Sequence, residues 1–254
     1  MAIKTKTQEQ GAQIAIQSVQ LRKDTSSTTA ASQRVYTGKE IIDLYKYGRR
    51  DFRYINAKGA DLHNANLKDA DLTGAKLWFA NLQGANLEGS ILCNANFTGA
   101  NLIKANFTAT NSVDALFKGV ESIGANFYGA NLSCADFTKA NLQGANFERA
   151  TLMHINFSRV NLECANLTDA KLRGANLASA NLTDANLTNA DFNITDMENA
   201  ILTCANLQYT DFCGANLKGA NLTRTYNIRG ADFSGANLKG AIVSIGNVVT
   251  KIGD

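Results

Sequence analysis

Two histidines, five cysteines and a spaced pair of aspartates are the residues of this sequence whose chemistry could support a reaction. Asp191 and Asp211 lie twenty residues apart and, if the fold brings them together, could serve as an acid and a base. His63 and His154 could transfer protons or bind a metal, and the cysteines could form disulfides or bind zinc. The cysteines are Cys93, Cys134, Cys164, Cys204 and Cys213. Which of these roles is available depends on how the chain positions each residue.

A five-residue repeat dominates the chain and must position these residues. From Ala60 to Arg224 the sequence reads A-(N/D)-(L/F)-x-x, in phase, 33 times. The third residue, the central position, is Leu or Phe in 30 repeats. Ala occupies the inner position two residues earlier in 26 repeats, and Asn or Asp directly precedes the central residue in 26. We call the two residues after the central position the first and second outer positions.

The period of five excludes a straight helix or strand. On an α-helix five residues advance the chain by about 500°, so the central residues would spiral around every side. In a straight strand an odd period sends alternate central residues to opposite faces. All of them can point the same way only if the chain turns a corner every five residues, which winds it into a tube with the central and inner positions inside. The absence of Pro agrees, because such a backbone needs most of its N–H groups for pairing.

Tandem repeats of this pattern resemble the pentapeptide repeat proteins, and the resemblance covers about two-thirds of the chain. It implies an all-β fold, a right-handed quadrilateral β-helix with four repeats per coil. Thirty-three repeats would then form about eight coils, or a rod about 40 Å long at roughly 4.8 Å per coil. The segment GRRDF, at Gly48–Phe52, resembles the one that precedes the first coil in cyanobacterial members. The resemblance therefore implies a cyanobacterial-type member of the family.

The chain divides into four parts around the repeat. Residues 1–34 are polar and repeat Gln, Ser and Thr, which predicts an arm that is partly disordered or weakly helical. The other parts are an N-terminal cap helix and the segment leading into the first coil at 35–58, the β-helix at 59–245 and a C-terminal tail at 246–254. Thr37 and Glu40 have the spacing of a capping box at the start of the cap helix. We expect this helix to cover the open hydrophobic end of the first coil.

The repeat is irregular in two places. Residues 110–124 carry Ser at two central positions while keeping phase, which predicts a bulge or an outward loop. Leu222 and Phe233 are eleven residues apart instead of ten, which predicts a bulge or corner loop near Tyr226. The last coil has no obvious cap helix, so we expect either a monomer whose tail folds back or a dimer through the C-terminal coil.

The tube separates most of the reactive residues from one another. Counting in twenties puts His63 and His154 on different faces, more than four coils apart, so they cannot share a metal. The nearest cysteines on a shared face, Cys93 with Cys134 and Cys164 with Cys204, are two coils or about 9.6 Å apart, whereas a disulfide needs Cα atoms within about 7 Å. We expect five free thiols and no zinc site. Asp191 and Asp211 occupy the Asn/Asp position of the repeat, and a charge ladder with Lys171 below them explains their spacing.

The four faces of the tube differ in charge. We number them 1 to 4 by their first central residues, which are Leu62, Leu67, Leu72 and Leu77. Between positions 61 and 224, faces 1, 2 and 3 each carry four acidic and two basic residues, whereas face 4 carries five basic and three acidic. Basic residues beside exposed aromatic rings suit a partner-binding patch, unless the cap helix or the arm covers the rings. The candidate patch consists of Lys76, Trp78, Phe79, Leu116, Lys118, Lys139 and Arg159.

Charge and hydropathy exclude several classes of protein. The formal charge of +3 combines +6 in residues 1–58 with −3 in residues 59–254, and neither part has the strong charge of a dedicated nucleic-acid binder. No apolar run approaches the roughly 20 residues of a membrane helix. The first thirty residues hold no apolar segment of signal-peptide length. We expect a cytoplasmic protein, although the basic, acid-poor N-terminus is also compatible with a transit peptide.

Three functions stay open on the sequence. The filled core and the absence of a recognisable catalytic, cofactor or metal site predict a non-enzymatic protein-interaction rod, regulatory or scaffolding, whose protein partner the residues do not name. Some members of the family mimic B-form DNA and act on gyrase; those proteins are strongly acidic along the rod, and this rod is not. The third function is weak, salt-dependent binding of acidic surfaces through the basic residues 1–58.

Overall fold

The structure, a computed structural model, describes residues 34–228, 230–245 and 248–251. The arm predicted for 1–34 lies outside the described residues except for Arg34, and so does part of the tail predicted for 246–254. The regular elements are helix α1 (Gly38–Lys46) and strands β1 (Asn221–Leu222), β2 (Ile242–Ile245) and β3 (Val248–Lys251). Between α1 and β1, a bridge residue recurs every five positions and a two-residue turn follows each one. The chain therefore turns a corner at every repeat.

The coils stack in register. Parallel bridges join residues that are twenty positions apart, from Asp51 and Asp71 to Ile201 and Asn221, so that four repeats complete one coil. Residues in the same repeat position consequently form straight columns along each face. The coil nearer the N-terminus is called the coil below.

Hydrogen bonding within one repeat explains the residue at each position. In the repeat from Asn96 to Ala100, the Asn96 N–H donates to the coil below at 2.8 Å, and the Phe97 and Gly99 N–H groups donate to the coil above at 2.7 and 2.9 Å. The Ala100 N–H donates to the Phe97 carbonyl at 2.8 Å. The remaining N–H, of Thr98, donates to the side-chain Oδ1 of Asn96 at 2.9 Å. The Asn/Asp position thus supplies the acceptor that the backbone lacks, and Pro would remove a donor.

The central and inner positions fill the interior of the tube. They are buried from Phe52 to Leu222, and large side chains occupy most central positions, as predicted. Phenylalanines from faces 2 and 4 stack within their own columns and meet edge to face across the lumen; Phe117 and Phe137 stack at 4.4 Å. The interior is a packed core.

The expectation of a bulge or outward loop at 110–124 is wrong. The bridges keep their twenty-residue spacing through this segment, for example between Leu116 and Asp136. The two small residues, Ser112 and Ser122, enter the lumen from the opposite faces 3 and 1. Phe107 and Phe117 enter from the other two faces, with ring centroids 5.8 Å apart, and supply the missing volume. The serines therefore change the packing of the core and leave the path of the chain unchanged.

The predicted irregularity near Tyr226 is confirmed. Tyr226 still pairs with Asn206, twenty residues earlier, but Asp232 pairs with Asp211, twenty-one residues earlier. The extra residue is accommodated between Tyr226 and Asp232, and every later bridge keeps the shifted register.

Helix α1 lies against the first coil. It begins with the capping box, in which the Thr37 hydroxyl accepts from the Glu40 N–H and the Glu40 carboxylate accepts from the Thr37 N–H. Ile41 and Leu44 are buried in the same core as the first coil, and the Tyr45 hydroxyl donates to the Lys68 carbonyl at 2.8 Å. No helix among the described residues is long and apolar enough to cross a membrane.

The C-terminal end folds back on itself. Strand β2 continues the winding and pairs parallel with β1, and β3 returns antiparallel to β2. Phe233 and Leu238, which follow the insertion, are only half-buried. The end of the tube is thus covered less completely on faces 3 and 4 than its middle.

Replacing Ser122 by Ala should leave the free energy of unfolding unchanged or raise it. The Ser122 Oγ is buried with no hydrogen-bond partner among the described residues, so its removal relieves a desolvation cost. Ser90 is the matched control, because its buried Oγ donates to the Leu67 carbonyl at 2.8 Å and Ser90→Ala should cost about 1 kcal/mol. Urea unfolding measures both, and a larger loss for Ser122→Ala than for Ser90→Ala would contradict this assignment.

Candidate protein-interaction surface

The histidines and cysteines are dispersed over the surface of the rod. His63 lies on face 1, where its Nδ1 is 2.9 Å from the Asp61 carboxylate, and His154 lies on face 3 with its ring over Gly174. All five cysteines are free, as predicted, and each is exposed or half-buried. Within the described part of the chain, no group of three or more His, Cys, Asp or Glu side chains is arranged to hold a metal.

Asp191 and Asp211 form a ladder on face 3, as the sequence indicated. They pair in adjacent coils, and Lys171 pairs with Asp191 from the coil below. Each carboxylate accepts a backbone N–H two residues ahead, from Asn193 at 2.9 Å and from Cys213 at 2.8 Å. Both aspartates thus accept the backbone N–H that the Asn/Asp side chain accepts in other repeats, which completes the turn.

The seven residues of the candidate patch share face 4 and lie in three columns. Lys76 and Leu116 are in the Asn/Asp column, and Trp78 and Lys118 are in the first outer column. The second outer column runs Phe79, Gly99, Gly119, Lys139 and Arg159 in five successive coils. From Phe79 to Arg159 the column extends about 19 Å, at roughly 4.8 Å per coil.

The second outer column holds the most accessible groups of the patch. Phe79 is 65% exposed, and its ring lies over Gly99, where an added Cβ would come within 2.7 Å of it. Gly119 has open space around the same position. Lys139 and Arg159 are exposed, and neither forms an ion pair with another described residue. The column therefore has an exposed aromatic ring at one end and two exposed cations at the other, with open space at Gly119 between them.

Lys118 is less available to a partner protein than its outward position suggests, because it forms an ion pair within the rod. Its Nζ lies 3.1 Å from the Asp136 Oδ2, one coil above on the same face. Burial of Asp136 favours its neutral form, but hydrogen bonds from Thr138 and the charge of Lys118 outweigh this effect and hold the pKa of Asp136 below its ordinary value. The sequence places Asp136 on face 4 but does not show that it pairs with Lys118.

The aromatic residues of the patch differ in exposure. Trp78 is half-buried, and its Nε1 is buried without an acceptor among the described residues, whereas Phe79 faces solvent. Helix α1 contacts Asp61 and Lys68, on faces 1 and 2, and leaves Phe79 uncovered.

Sequence reasoning missed a groove beside the patch. A groove of about 660 Å³ lies between α1 and the first coil, with Lys46 and Lys58 among its lining residues. Lys58 stands one coil below Trp78 in the same column. The signal in the sequence was the continuation of the five-residue spacing to Lys58, before the first complete repeat.

Two family profiles match the repeats of this chain. The family profile "Pentapeptide repeats" matches in eight copies at residues 50–78, 161–199, 180–219 and 200–242, and the profile "Pentapeptide repeat region" matches at 90–167. A search of curated proteins finds no match.

Several solved structures are similar to the chain. HetL, a pentapeptide repeat protein involved in heterocyst differentiation regulation from the cyanobacterium Nostoc sp. strain PCC 7120, is 31% identical over 82% of this chain and 97% of its own, with a TM-score of 0.37. The plasmid-mediated fluoroquinolone resistance protein QnrB1 is 20% identical over 70% and 79%, with a TM-score of 0.41. A pentapeptide repeat protein of the Arabidopsis thaliana thylakoid lumen is 36% identical over 40% and 68%, with a TM-score of 0.26.

Replacing Lys118 by Met should raise the pKa of Asp136, because the neighbouring positive charge is lost while burial remains. The folded pKa lies below the unfolded one, so this carboxylate stabilises the fold above its unfolded pKa, and the contribution is lost as the pH falls through the folded pKa. NMR titration of the Asp136 carboxyl carbon measures the shift. Lys76→Met, on the same face without an ion pair to Asp136, is the control, and equal pKa values in the two variants would refute the pairing.

Proposed function

We propose that this chain, which belongs to the pentapeptide repeat family, is a non-enzymatic rod with a regulatory or scaffolding role. In this proposal, face 4 binds a protein partner. The observation that carries this proposal is the second outer column of face 4. There the exposed cations Lys139 and Arg159 follow two glycines and the exposed ring of Phe79. An aromatic anchor beside cations is typical of surfaces that bind proteins.

The amide columns of other faces provide a contrast with this column. On face 2 the Asn146 amide donates to Asn126 Oδ1 at 3.1 Å, and the Asn166 amide donates to Asn146 Oδ1 at 3.2 Å. In a similar column on face 1, the Asn161 amide donates to the Asn141 Oδ1 at 3.2 Å. Because these side chains bond one another, they have fewer free groups to offer a partner. Lys139 and Arg159 on face 4 have no such partner among the described residues.

Electrostatics indicates the chemistry of the partner. Lys139 and Arg159 are one coil, or about 4.8 Å, apart at their backbones, so their positive charges repel each other. Carboxylates on a partner would remove this repulsion and steer the encounter of the two proteins. We therefore expect a partner with an acidic segment and an apolar group that packs on Phe79.

DNA mimicry remains the alternative function with a separate test. A mimic of B-form DNA needs negative charge along the rod, whereas residues 59–254 carry a net charge of only −3 and face 4 has an excess of basic residues. The basic segment 1–58 offers a further route to acidic surfaces, independent of face 4. Both alternatives leave Lys139 and Arg159 without a role.

The double variant Lys139→Glu, Arg159→Glu should lose its partner while the rod stays folded. Reversing two exposed charges should weaken binding at least tenfold, because each cation would become a repelling anion beside the partner's carboxylates. The matched control is Lys104→Glu, Arg173→Glu, which reverses two exposed cations on faces 1 and 3. Affinity purification from the native host extract, followed by titration of the recovered protein, measures both variants.

Equal recovery of the partner by the face 4 variant and the wild type would overturn the proposal. Inhibition of gyrase supercoiling at micromolar protein would instead favour DNA mimicry. Recovery that depends on residues 1–34 and not on face 4 would favour the basic N-terminal segment.

A further inference from the structure

Face 2 ends in a group of exposed apolar side chains. Tyr209, Tyr226 and Ile228 are 60%, 51% and 55% exposed, and together we call them the tyrosine cluster. Tyr226 stands above Asn206 at the end of a column that holds Asn in eight successive coils, from Asn66 onward. The cluster is thus an abrupt change from a polar amide column to an apolar surface.

The one-residue insertion directly follows Tyr226 and lies next to this cluster. Tyr226 keeps the bridge to Asn206, and the next residue, Asn227, is exposed and in the left-handed region at φ 51°. The Tyr209 ring lies over Gly230 of the coil above, where an added Cβ would come within 2.4 Å of it, as the Phe79 ring lies over Gly99. The Tyr209 ring is therefore packed against the segment that follows Ile228. Tyr is enriched in protein interfaces, and large exposed apolar side chains grouped at one end of a face indicate a contact surface.

Opposite charges flank the tyrosine cluster. Arg224 is exposed at the corner between faces 1 and 2, and Asp211 and Asp232 are stacked at the corner between faces 2 and 3. None of the three forms an ion pair with another described residue. Among the residues that the structure describes, the order across face 2 is therefore cation, apolar cluster, anions.

We propose that the tyrosine cluster is the contact between two copies of this chain, related by a two-fold axis that runs along the rod. Such an axis lays face 2 on face 2 and brings the face 1 corner of each copy onto the face 3 corner of the other. Arg224 then meets Asp211 and Asp232 of the second copy, and the arrangement occurs twice. A two-fold contact must be self-complementary, and a cation on one flank with anions on the other satisfies that condition.

The size of the face sets the strength of this dimer. Three extended residues span about 10 Å, so a face about 40 Å long offers at most roughly 400 Å² per copy. A stable interface buries about 800 Å² per partner. The dimer should therefore be weak and should form in the micromolar to submillimolar range. It does not rest on the proposed partner site, because it uses face 2 and leaves Lys139 and Arg159 on face 4 free.

A charge swap tests the proposal on the full chain. Sedimentation equilibrium over a range of concentrations should show a monomer–dimer equilibrium for the wild type. Tyr226→Ser should weaken it, and Arg224→Asp or Asp232→Arg alone should raise the dissociation constant about tenfold, because each places like charges together twice. The combined variant Arg224→Asp, Asp232→Arg should return to near the wild-type value. Lys104→Asp, on face 1 away from the cluster, is the control and should dimerise normally.

Recovery of the dimer by the combined variant distinguishes a lost contact between the copies from a loss of folding. Asp232 accepts the Ser234 N–H at 2.8 Å, so Asp232→Arg also removes a turn hydrogen bond, and a purely structural loss would not be repaired by changing Arg224. A wild type that stays monomeric at every concentration would overturn the proposal. So would a dimer insensitive to Tyr226→Ser and to both single reversals, which would place the contact elsewhere, for example at the half-buried Phe233 of the terminal coil.

Discussion

The structure depends on the pairing of each coil with the coils twenty residues before and after it. Four of the five N–H groups in the repeat from Asn96 to Ala100 bond backbone carbonyls, and the fifth needs the side chain of Asn96. This constraint explains the absence of Pro, the Asn/Asp position and the straight columns of side chains. Because the same pairing packs the lumen with Leu, Phe and Ala, recognition must take place on the outer faces.

The sequence predicted most of this arrangement because a strict five-residue period assigns each residue number to a face, a coil and an inward or outward position. It gave the correct inward positions, the grouping of residues on face 4, the turn aspartates and the insertion after Tyr226. It failed at 110–124, because Ser122 is compensated by Phe117, which comes from a different face, and volume shared across a lumen leaves no local pattern. It also missed the pairing of Lys118 with Asp136, since side-chain direction is set by neighbouring columns.

The two proposed surfaces are both departures from a uniform polar background. Side chains in the asparagine columns hydrogen-bond to one another. Lys139 and Arg159 on face 4 form no ion pair with described residues, and the tyrosine cluster on face 2 is exposed. The two surfaces lie on opposite faces. One rod could therefore hold a second copy and a partner at the same time, which is the geometry that a scaffolding role requires.

The central claim, that one face of the rod contacts a partner protein, is tested most directly by site-specific photo-crosslinking in the native host. Ser133, Thr138, Gln143 and Glu148 occupy the same first outer position on faces 3, 4, 1 and 2 of one coil, and all are half-buried. A photo-reactive residue at each site in turn therefore differs only in the face that it samples. The account predicts a crosslink to another protein from Thr138 on face 4. No crosslink from Thr138, with one from another face, would contradict it.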